Sequence, residues 1–597
     1  MSPDGSKVSI VQMHPDDFPI LMILDLEHGS GNLALASTPD GFDLQWCDWA
    51  NDERLLCGFE AITGGWTLYG VSRLVAVNAD GSDMRVLLQH KESRRWQQFQ
   101  DHVIDWLVED PRRVLVPEPV ERGVALKPLD VYSGQTESAI ERLLGSNWWM
   151  TDGRGTARLN YYVGEYDERW RYRVAGESKW RELHEWKRTD VQHVYRPVGF
   201  GEDPNELFVL KPHDGRVALW SVDLTGARED ALVFSHPQVD LEDVTGIGKY
   251  GRLAAVAYET DRPHLHFFDR TTADVSKRLA DHFDDKVIEV VDESWDRRYY
   301  IAKVGSDRDA GAYYRFDVAQ NQLLKISPAY PQLESRALAP VKTIRYPARD
   351  GAQIPGYLTL PVGAATPLPT VILPHGGPQA RDYWGFDWLA QFIAAKGYAV
   401  LQSNYRGSSG YGEGWVGEGG FRAWRTAIAD LTDGAAHLVQ QGIADPARIC
   451  VVGWSYGGYA ALLSGAEEPE RYRCIVSIAG VTDLQMMLND ARYFSNKKEV
   501  AEFISRDSDV VDRGSPVNRA PDIRAPVLLF HGDRDINVPV DHSQAMAKAL
   551  KRKKKNVELV EYEGVEHGLA RNRYRIDMLD RIGAFLDAHI GKPAAKN

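Results

Sequence analysis

The sequence predicts a two-domain protein in which an all-β propeller precedes an α/β domain with a doubly wound, mostly parallel sheet. Two observations predict this division. A short motif recurs through the first half of the chain, and buried β-type runs alternate with helix-type stretches in the second half. A length of 597 residues with 43% hydrophobic content is enough for two sizeable cores. We therefore expect the propeller over residues 1–330 and the α/β domain over 331–597, with a proline-bearing linker at about 328–340.

The propeller is predicted by seven copies of a strand-end motif, which consists of an apolar residue, an aspartate or its replacement, another apolar residue and a turn. Successive copies are 43 to 53 residues apart, which is the length of one four-stranded propeller blade. We therefore expect seven blades. The copies are Leu24-Asp25-Leu26, Val77-Asn78-Ala79, Leu129-Asp130-Val131, Tyr172-Arg173-Val174, Val222-Asp223-Leu224, Phe268-Asp269-Arg270 and Phe316-Asp317-Val318.

The first blade is expected to be incomplete. Residues 1–5 are typical of the turn between the first and second strands of a blade, so the innermost strand has no sequence of its own. Two explanations are open at this stage: a truncated start, or a strand supplied from elsewhere in the chain. Because a propeller must close to protect its strand edges, we expect residues 323–326 to contribute to the closing seam.

The α/β domain contains the signature of a nucleophile elbow, a tight strand-to-helix turn that exposes a reactive serine. Gly453, Ser455 and Gly457 form a Gly-x-Ser-x-Gly motif between a β-type run at 449–452 and a helix-type stretch at 459–465. The glycines let strand and helix approach closely, so the serine oxygen remains accessible to a base. The motif alone is equally typical of an ordinary loop, so its interpretation depends on the motifs around it.

An acid and a histidine follow in the order that an α/β-hydrolase requires. Asp535 comes shortly after a buried β-type run, and His567 follows an alternating run. We predict that Asp535 orients His567, which takes the proton of Ser455 and returns it to the leaving group. Asp533 is the alternative acid, although its position directly after the strand is also typical of a residue that caps a turn.

Donors for the negative charge of a tetrahedral intermediate are also present. The backbone N–H of Tyr456, directly after the serine, is expected at the N-terminus of the following helix. A second donor is expected from the His-Gly-Gly-Pro segment at 375–378, because it follows a strand-like run at the place where lipases and esterases carry an oxyanion loop.

From about residue 340 onward, the sequence resembles the catalytic domain of the prolyl oligopeptidase family of serine peptidases. Within that family it is most similar to acylaminoacyl peptidases and to dipeptidyl peptidase-like oligopeptidases. The resemblance implies a propeller in front of the hydrolase, the triad Ser455, Asp535 and His567, and an oxyanion hole formed by the N–H groups of Gly377 and Tyr456. It rests on five motifs in order: HGGP at 375–378, NYRGSSGYG at 404–412, GWSYGGY at 453–459, HGDRDINV at 531–538 and EGVEHG at 563–568.

Four further residues of these motifs are expected to line the substrate pocket. They are Tyr411, Trp454, Tyr459 and Val538.

Composition argues against several other classes of protein. The formal net charge of −15 argues against a nucleic-acid partner. No cluster of cysteine, histidine and carboxylate residues has metal-ligand spacing, and the glycine-rich run at 407–414 lacks the lysine of a phosphate loop. We therefore expect neither metal nor cofactor.

No apolar stretch approaches the ~20 residues that span a bilayer. This predicts a cytoplasmic location without membrane partners. If an upstream signal peptide has been removed, the location is periplasmic or secreted.

The four cysteines are expected to be buried thiols. A bridge between Cys47 and Cys57, which flank a predicted hairpin turn, is the alternative.

The leading functional hypothesis is a serine peptidase that cleaves short peptides through an acyl-enzyme, with the propeller restricting access. Dipeptidyl peptidases of the family hold the free amine of the substrate with a pair of glutamates, and the first 330 residues lack a Glu-Glu pair. Acylaminoacyl peptidase or oligopeptidase specificity is therefore favoured over a dipeptidyl peptidase. Glu109, Glu165 and Glu168 are weaker substitutes for such a pair.

An esterase with the same triad is a second hypothesis, and a propeller interaction module with an inactive hydrolase is a third. The oligomeric state, a homo-oligomer included, is left open.

Overall fold

Antiparallel sheets and a mixed α/β sheet divide the chain between them. The computed structural model describes residues 1–36, 41–65, 67–88, 97–417, 419–493 and 496–591. Within these residues the antiparallel sheets extend as far as Pro328, and an eight-stranded sheet flanked by helices begins at Val341. No helix in these ranges is long and apolar enough to cross a membrane.

The N-terminal part is a series of antiparallel meanders, in which each strand pairs with the next one along the chain. One helix, α1 (Arg270–Ala280), follows the fifth sheet. The sheets comprise, in order, β1 (Lys7–Met13), β2 (Pro19–Asp25) and β3 (Ser30–Ala36); β4 (Asp43–Trp49), β5 (Arg54–Gly64), β6 (Leu68–Asn78) and β7 (Arg85–Val86); β8 (Arg113–Val120), β9 (Gly123–Asp130), β10 (Ser146–Thr151), β11 (Ala157–Val163), β12 (Asp167–Tyr172) and β13 (Arg181–Lys187); β14 (Arg196–Phe200), β15 (Glu206–His213), β16 (Arg216–Asp223) and β17 (Ala231–Phe234); β18 (Leu241–Ile247), β19 (Arg252–Glu259) and β20 (Pro263–Phe267); and β21 (Val287–Glu293), β22 (Tyr299–Ser306), β23 (Asp309–Asp317) and β24 (Gln322–Pro328).

The repeated sequence motif lies at strand ends, and its carboxylate explains why. Asp130 closes β9, and its side chain accepts the backbone N–H groups of Tyr132 and Ser133 at 2.9 and 2.7 Å. Asp223 closes β16 and accepts the N–H of Thr225 in the same way. A short carboxylate side chain that bonds to the backbone two residues onward favours a turn over a continued strand.

The described residues of the N-terminal part form six sheets, so the prediction of seven separate blades does not hold at the level of hydrogen-bonded sheets. The third and fourth motif copies, centred on Asp130 and Arg173, fall within one six-stranded sheet. A parallel pairing of Ser146 with Gly123 joins its two halves. Sequence spacing counts repeats, but it does not reveal whether neighbouring repeats also bond to each other.

The first sheet, β1–β3, has three strands. Contacts of the first residues connect it to the last antiparallel sheet, β21–β24. Trp295 donates its backbone N–H to the carbonyl oxygen of Pro3 at 2.9 Å, and the amino group of Met1 lies 2.7 Å from Asp292. Residues 323–326 belong to β24 of that same sheet and pair with β23, whereas these contacts with the first residues are made by Asp292 and Trp295.

The C-terminal part is built on an eight-stranded sheet in the order β25-β26-β28-β27-β29-β30-β31-β32. β26 is antiparallel to both of its neighbours, and the strands from β28 to β32 pair in parallel. The strands are β25 (Val341–Pro347), β26 (Gln353–Thr359), β27 (Leu368–Ile372), β28 (Ala399–Ser403), β29 (Ala444–Trp454), β30 (Cys474–Ile478), β31 (Val527–Gly532) and β32 (Val557–Tyr562).

Helices cover both faces of this sheet, which is why its central strands are buried throughout. Leu389 of α2 and Ile582 of α10 pack with one face, whereas Leu431 of α4, Leu462 of α5 and Leu550 of α9 pack with the other. The helices are α2 (Trp388–Ala395), α3 (Glu413–Val416), α4 (Trp424–Gln440), α5 (Tyr456–Glu467), α6 (Leu484–Asp490), α7 (Lys497–Ile504), α8 (Ser508–Arg513), α9 (Asp541–Arg552) and α10 (Asn572–Ile590).

All four cysteines form disulfides in the structure, which corrects the expectation of free buried thiols. Cys47 and Cys57 are directly paired across β4 and β5, with Cα atoms 4.1 Å apart. Cys450 and Cys474 are partners on the adjacent parallel strands β29 and β30, with Cα atoms 4.8 Å apart. The second bridge was not foreseen because its residues are neighbours only once the parallel strands are in register.

The N-terminal sheets lie against one edge of the eight-stranded sheet, the edge at which its parallel strands end. Contacts reach the loop after β28, where Gln192 donates to the carbonyl oxygen of Gly417 at 2.8 Å. They also reach the loop after β32, where Arg571 bonds to both carboxylate oxygens of Asp43 at 2.6 and 2.7 Å. Active sites of open α/β sheets form at this edge.

A buried polar cluster joins the two parts at the loop after β27. Arg381, whose side chain is fully buried, lies 3.3 Å from the carboxylate of Glu242. Glu259 accepts hydrogen bonds from the hydroxyl of Tyr357 at 2.8 Å and from the backbone N–H of Trp384 at 2.6 Å. Burial raises the pKa of Glu242 to about 7, although the charge of Arg381 opposes that rise. Two carboxylates of the N-terminal part thus contact one guanidinium and two neutral donors of the C-terminal part.

The Glu259→Ala variant is expected to lose about 2–4 kcal/mol of unfolding free energy, because it leaves two buried donors unpaired and removes a negative charge near Arg381. Urea denaturation followed by tryptophan fluorescence measures this loss, with the exposed Glu229→Ala as the matched control. A loss below about 0.5 kcal/mol for Glu259→Ala would show that the cluster does not hold the two parts together.

Candidate active site

The candidate nucleophile lies on a strained turn between β29 and α5. Ser455 has a positive φ of 57° with ψ of −120°, and its N–H donates to the carbonyl oxygen of Ile478 at 2.8 Å. A β-carbon added at Gly453 would overlap the carbonyl oxygen of Gly457, and one added at Gly457 would overlap that of Pro374. The motif glycines are therefore required by the close approach of strand, helix and neighbouring loop.

The candidate acid and the candidate base are in hydrogen-bond contact. Asp535 Oδ2 lies 2.6 Å from His567 Nδ1, and the side chain of Asp535 is fully buried. Asp535 Oδ1 accepts the backbone N–H groups of Asn537 and Val538, both at 2.8 Å. Burial would raise the pKa of Asp535, but hydrogen bonds from His531 and His567 and the positive charge of His567 lower it to about 2. The acid is therefore ionised across the neutral range.

The rival acid has a different partner. Asp533 Oδ1 accepts the backbone N–H of Gly564 at 2.6 Å, which ties the loop after β31 to the loop after β32. Asp533 thus holds together the two loops that carry Asp535 and His567, without contacting the imidazole itself.

The elbow and the histidine loop are joined by Trp454. Its indole N–H donates to the carbonyl oxygen of His567 at 3.1 Å, and its ring packs edge-on against Trp388. Since Trp454 directly precedes Ser455, this bond couples the position of the nucleophile to that of the base. Nδ1 of His567 is engaged by Asp535, which leaves Nε2 as the nitrogen for the serine proton.

The oxyanion loop lies against the elbow. A β-carbon at Gly376 would be 3.5 Å from Cβ of Ser455, and Gly377 has a φ of 121° that suits glycine. Among the described residues, neither the N–H of Gly377 nor that of Tyr456 donates to a protein acceptor. Both predicted oxyanion donors are therefore available next to Ser455.

His375 braces this loop. Its ring stacks on Tyr405 with centroids 4.4 Å apart, and its Nε2 lies 2.8 Å from the hydroxyl of Ser408. The hydroxyl of Tyr405 also donates to the carbonyl oxygen of His375 at 2.9 Å. Burial lowers the pKa of His375 to about 4, so the ring is neutral at pH 7. Tyr405 and Ser408 belong to the NYRGSSGYG motif, so that motif supports the oxyanion loop.

The four residues assigned to the substrate pocket have different environments. Tyr459 and Val538 are buried in the core, Tyr459 completely, so these side chains have almost no surface to offer a substrate. Tyr411 is half-buried and its hydroxyl accepts from Arg381 and Asn404 at 2.9 and 2.7 Å. Trp454 is partly exposed beside the catalytic loops. Sequence proximity to the motifs did not distinguish core positions from surface positions.

Histidines that sequence reasoning missed lie under the acid loop. His531 and His542 are fully buried, although a surface position is the natural expectation for a histidine in a helix such as α9. His542 Nδ1 accepts the backbone N–H groups of Thr482 and Asp483 at 3.1 and 3.2 Å. The position of His531 at the start of the HGDRDINV motif was the available signal.

The C-terminal part has the fold of an α/β-hydrolase, and its candidate site carries the serine, histidine and aspartate of that arrangement. Residues 384–593 match the model of the prolyl oligopeptidase family. Over these residues, about a third of the chain, the sequence is similar to the prolyl oligopeptidase family.

Relatives by sequence include two kinds of peptidase. Dipeptidyl aminopeptidase BIII of Pseudoxanthomonas mexicana is 30% identical over 372 residues, which are 59% of this chain and 53% of the relative. The acylamino-acid-releasing enzyme of Sus scrofa is 26% identical over 235 residues, or 38% of this chain and 32% of the relative. The chain thus spans about half the length, or less, of the curated relatives that it matches.

Two solved structures share the fold over nearly the whole chain. A prolyl endopeptidase structure gives a TM-score of 0.74 at 15% identity and covers 99% of this chain and 89% of its own. Acylaminoacyl peptidase of Pyrococcus horikoshii gives a TM-score of 0.63 at 16% identity, with 100% and 89% covered. The predicted architecture, a propeller followed by a hydrolase domain, is confirmed at this level.

The Asp535→Asn variant should lower kcat by about 10⁴-fold, because the amide favours the wrong tautomer of His567. Asp533→Asn is the matched control and should cost less than about 10-fold, since an amide oxygen still accepts the N–H of Gly564. Steady-state hydrolysis of a chromogenic amide or ester compares the two. A larger loss for Asp533→Asn would mean that the acid has been assigned to the wrong residue.

Acidification should destabilise the catalytic domain between pH 6.5 and about 4. Burial and the nearby charge of His531 lower the pKa of His542 from 6.5 to about 4, against the opposing effect of Asp535. The unfolded chain therefore binds a proton in this range that the folded chain does not, so stability is full above pH 6.5 and falls as the pH drops towards 4. In His542→Asn the amide oxygen can accept the same N–H groups, but the side chain does not titrate. The denaturation midpoints at pH 7 and pH 4.5 should therefore differ less in this variant than in the wild type. An equal difference in the two proteins would contradict the role of His542.

Proposed function

We propose that the protein is a serine peptidase that hydrolyses short peptides through an acyl-enzyme. The observation that carries the proposal is the 2.6 Å contact between Asp535 and His567, which lies beside the strained elbow of Ser455 at the edge facing the propeller. A serine on such a turn, with an oriented imidazole and two unengaged N–H donors, is the machinery of acyl transfer.

In the proposed reaction, Ser455 Oγ attacks the scissile carbonyl carbon while His567 Nε2 takes its proton. The N–H groups of Gly377 and Tyr456 stabilise the oxyanion that forms. His567 then donates the proton to the leaving amine, and water attacks the acyl-enzyme by the same route. Asp535 remains ionised throughout and stabilises the imidazolium.

We propose that the propeller, over residues 1–330, limits which substrates reach the site. In support, contacts from several of its sheets surround the catalytic edge, among them Gln192 with Gly417 and Asp43 with Arg571. A long or folded chain would have to pass between these contacts or separate the domains. Residues 328–340 serve as the linker in this proposal, ahead of the hydrolase at 331–597.

We also propose that the six-stranded sheet counts as two blades, which retains seven blade positions. The sheet has two halves, β8–β9 and β10–β13, and each half contains one copy of the repeated motif at the end of a strand. A single residue pair, Ser146 with Gly123, joins the two halves.

Among peptidases, we favour acylaminoacyl peptidase or oligopeptidase specificity over a dipeptidyl peptidase. The candidate carboxylates for a free amine are engaged: Glu168 accepts from the hydroxyl of Tyr161, and Glu109 lies 2.7 Å from Lys249 on an exposed part of the propeller. The 30% identical dipeptidyl aminopeptidase supports the alternative, so both specificities belong in the test.

Peptide length and N-terminal blocking should separate these hypotheses. The experiment compares cleavage rates for a nested series of peptides, from tripeptides to chains of about forty residues. Each peptide is tested with a free and with an acetylated N-terminus. A folded protein that carries the same sequence in an exposed loop is tested alongside. We expect rates to fall steeply with length, and acetylated peptides to be cleaved at least as well as free ones. Ser455→Ala should lose on the order of 10⁶-fold in kcat.

Other outcomes point to the alternatives. Removal of dipeptides from free N-termini alone would indicate a dipeptidyl peptidase, and hydrolysis of esters without amides would indicate an esterase. Equal rates across the series would contradict restricted access. A wild-type protein that fluorophosphonate does not label would contradict the serine hydrolase mechanism itself.

A further inference from the structure

A second imidazole, buried and outside the candidate triad, lies next to the candidate acid. His531, the penultimate residue of β31, is completely buried and is not part of the triad. Its Nε2 lies 2.7 Å from the carbonyl oxygen of Val538 and 3.3 Å from Oδ2 of Asp535. Its Nδ1 lies 2.7 Å from the hydroxyl of Ser543 on α9.

These partners determine which ring nitrogen carries the proton. A carbonyl oxygen accepts hydrogen bonds and does not donate them, so Nε2 of His531 must hold the hydrogen that faces Val538. The same nitrogen lies 3.3 Å from Oδ2 of Asp535, so the positive end of this N–H bond is close to the carboxylate. In the neutral ring Nδ1 then accepts, and the hydroxyl of Ser543 is its donor.

Three hydrogen bonds and one longer contact surround the carboxylate of Asp535. Oδ1 takes the N–H groups of Asn537 and Val538, whereas Oδ2 lies 2.6 Å from His567 Nδ1 and 3.3 Å from His531 Nε2. Hydrogen bonds to an ionised carboxylate restrict its orientation and draw charge away from its other contacts. Since Oδ2 is the atom that orients His567, His531 acts on the base through the acid.

We propose that His531 is a positioning residue for the catalytic acid, and that it sets both the orientation of the Asp535 carboxylate and the charge that this carboxylate presents to His567. The inference rests on the proposed function, because it assigns a role within that triad. Loss of the Nε2 donor would leave more negative charge facing His567 and would favour the protonated imidazole. The acid limb of the pH–rate profile, in which the rate rises as His567 loses its proton, would then move to higher pH.

Two amide variants separate the donor from the bulk of the ring. In His531→Gln the longer amide reaches the position of Nε2 and retains a donor for Asp535. In His531→Asn the shorter amide remains near Ser543 but does not reach the carboxylate. Ser543→Ala is a further control, because it removes the partner of Nδ1 and leaves the donor in place.

The readout is the rate of phosphonylation of Ser455 by a fluorophosphonate between pH 5 and 9, which does not depend on knowing the peptide substrate. For His531→Asn we expect a rate about 10- to 100-fold lower and an acid limb on the order of half a pH unit higher. His531→Gln should remain within about 3-fold of the wild type and should keep its acid limb. An acid limb in His531→Asn that coincides with the wild type would overturn the inference.

A measurement on the wild type covers the case in which His531→Asn does not fold. The ring N–H of His531 should give a downfield proton resonance, identified by its absence in His531→Gln. Phosphonylation of Ser455 changes the charge on His567, so this resonance should shift; an unchanged resonance would overturn the inference. An unlabelled wild-type protein would contradict the proposed function, and with it this role for His531.

Discussion

The close approach of backbone at the elbow is the constraint on which the rest of the catalytic domain depends. Strand β29, helix α5 and the loop after β27 meet where a β-carbon at Gly453 or Gly457 would overlap a carbonyl oxygen. This contact exposes Ser455, and it brings the oxyanion loop within van der Waals distance of the serine. Packing at the glycines therefore determines both the exposure of the candidate nucleophile and the position of the candidate oxyanion loop.

Around that point, the loops support one another through backbone groups. Asp533 ties the acid loop to the histidine loop, Trp454 ties the histidine loop to the elbow, and His375 holds the oxyanion loop against Tyr405. Each loop leaves a different strand of the sheet, so parallel register places them side by side. Electrostatic stabilisation of a transition state needs such an arrangement, because donors that are already in place cost no reorganisation during the reaction.

The sequence predicts those features that local chemistry encodes. The elbow needs glycines at fixed spacing and the strand-end motif needs a short carboxylate, so Ser455 and the repeats of the first half were both recognisable. Asp535 was preferred over Asp533 from loop position, and the structure places the two on different partners.

Features that depend on packing between distant segments were not predictable. Cys450 and Cys474 become partners only through strand register, and Tyr459 belongs to the core because Phe421 and Tyr456 enclose it. The joining of the third and fourth repeats into one sheet depends on Ser146 reaching Gly123, which spacing does not reveal. The burial of His531 likewise depends on α9, a helix that begins ten residues later.

The polar cluster between the two domains combines side chains with a backbone group. This determines which residues must be kept if one domain is replaced by that of another protein. Glu259 on the propeller binds the main-chain N–H of Trp384, a donor that any residue except proline would supply. The hydrolase side of this bond is therefore tolerant of substitution, whereas the propeller side requires an acceptor at one position. A foreign propeller grafted onto this domain would need a carboxylate or an equivalent acceptor there, because the hydroxyl of Tyr357 donates to the same carboxylate.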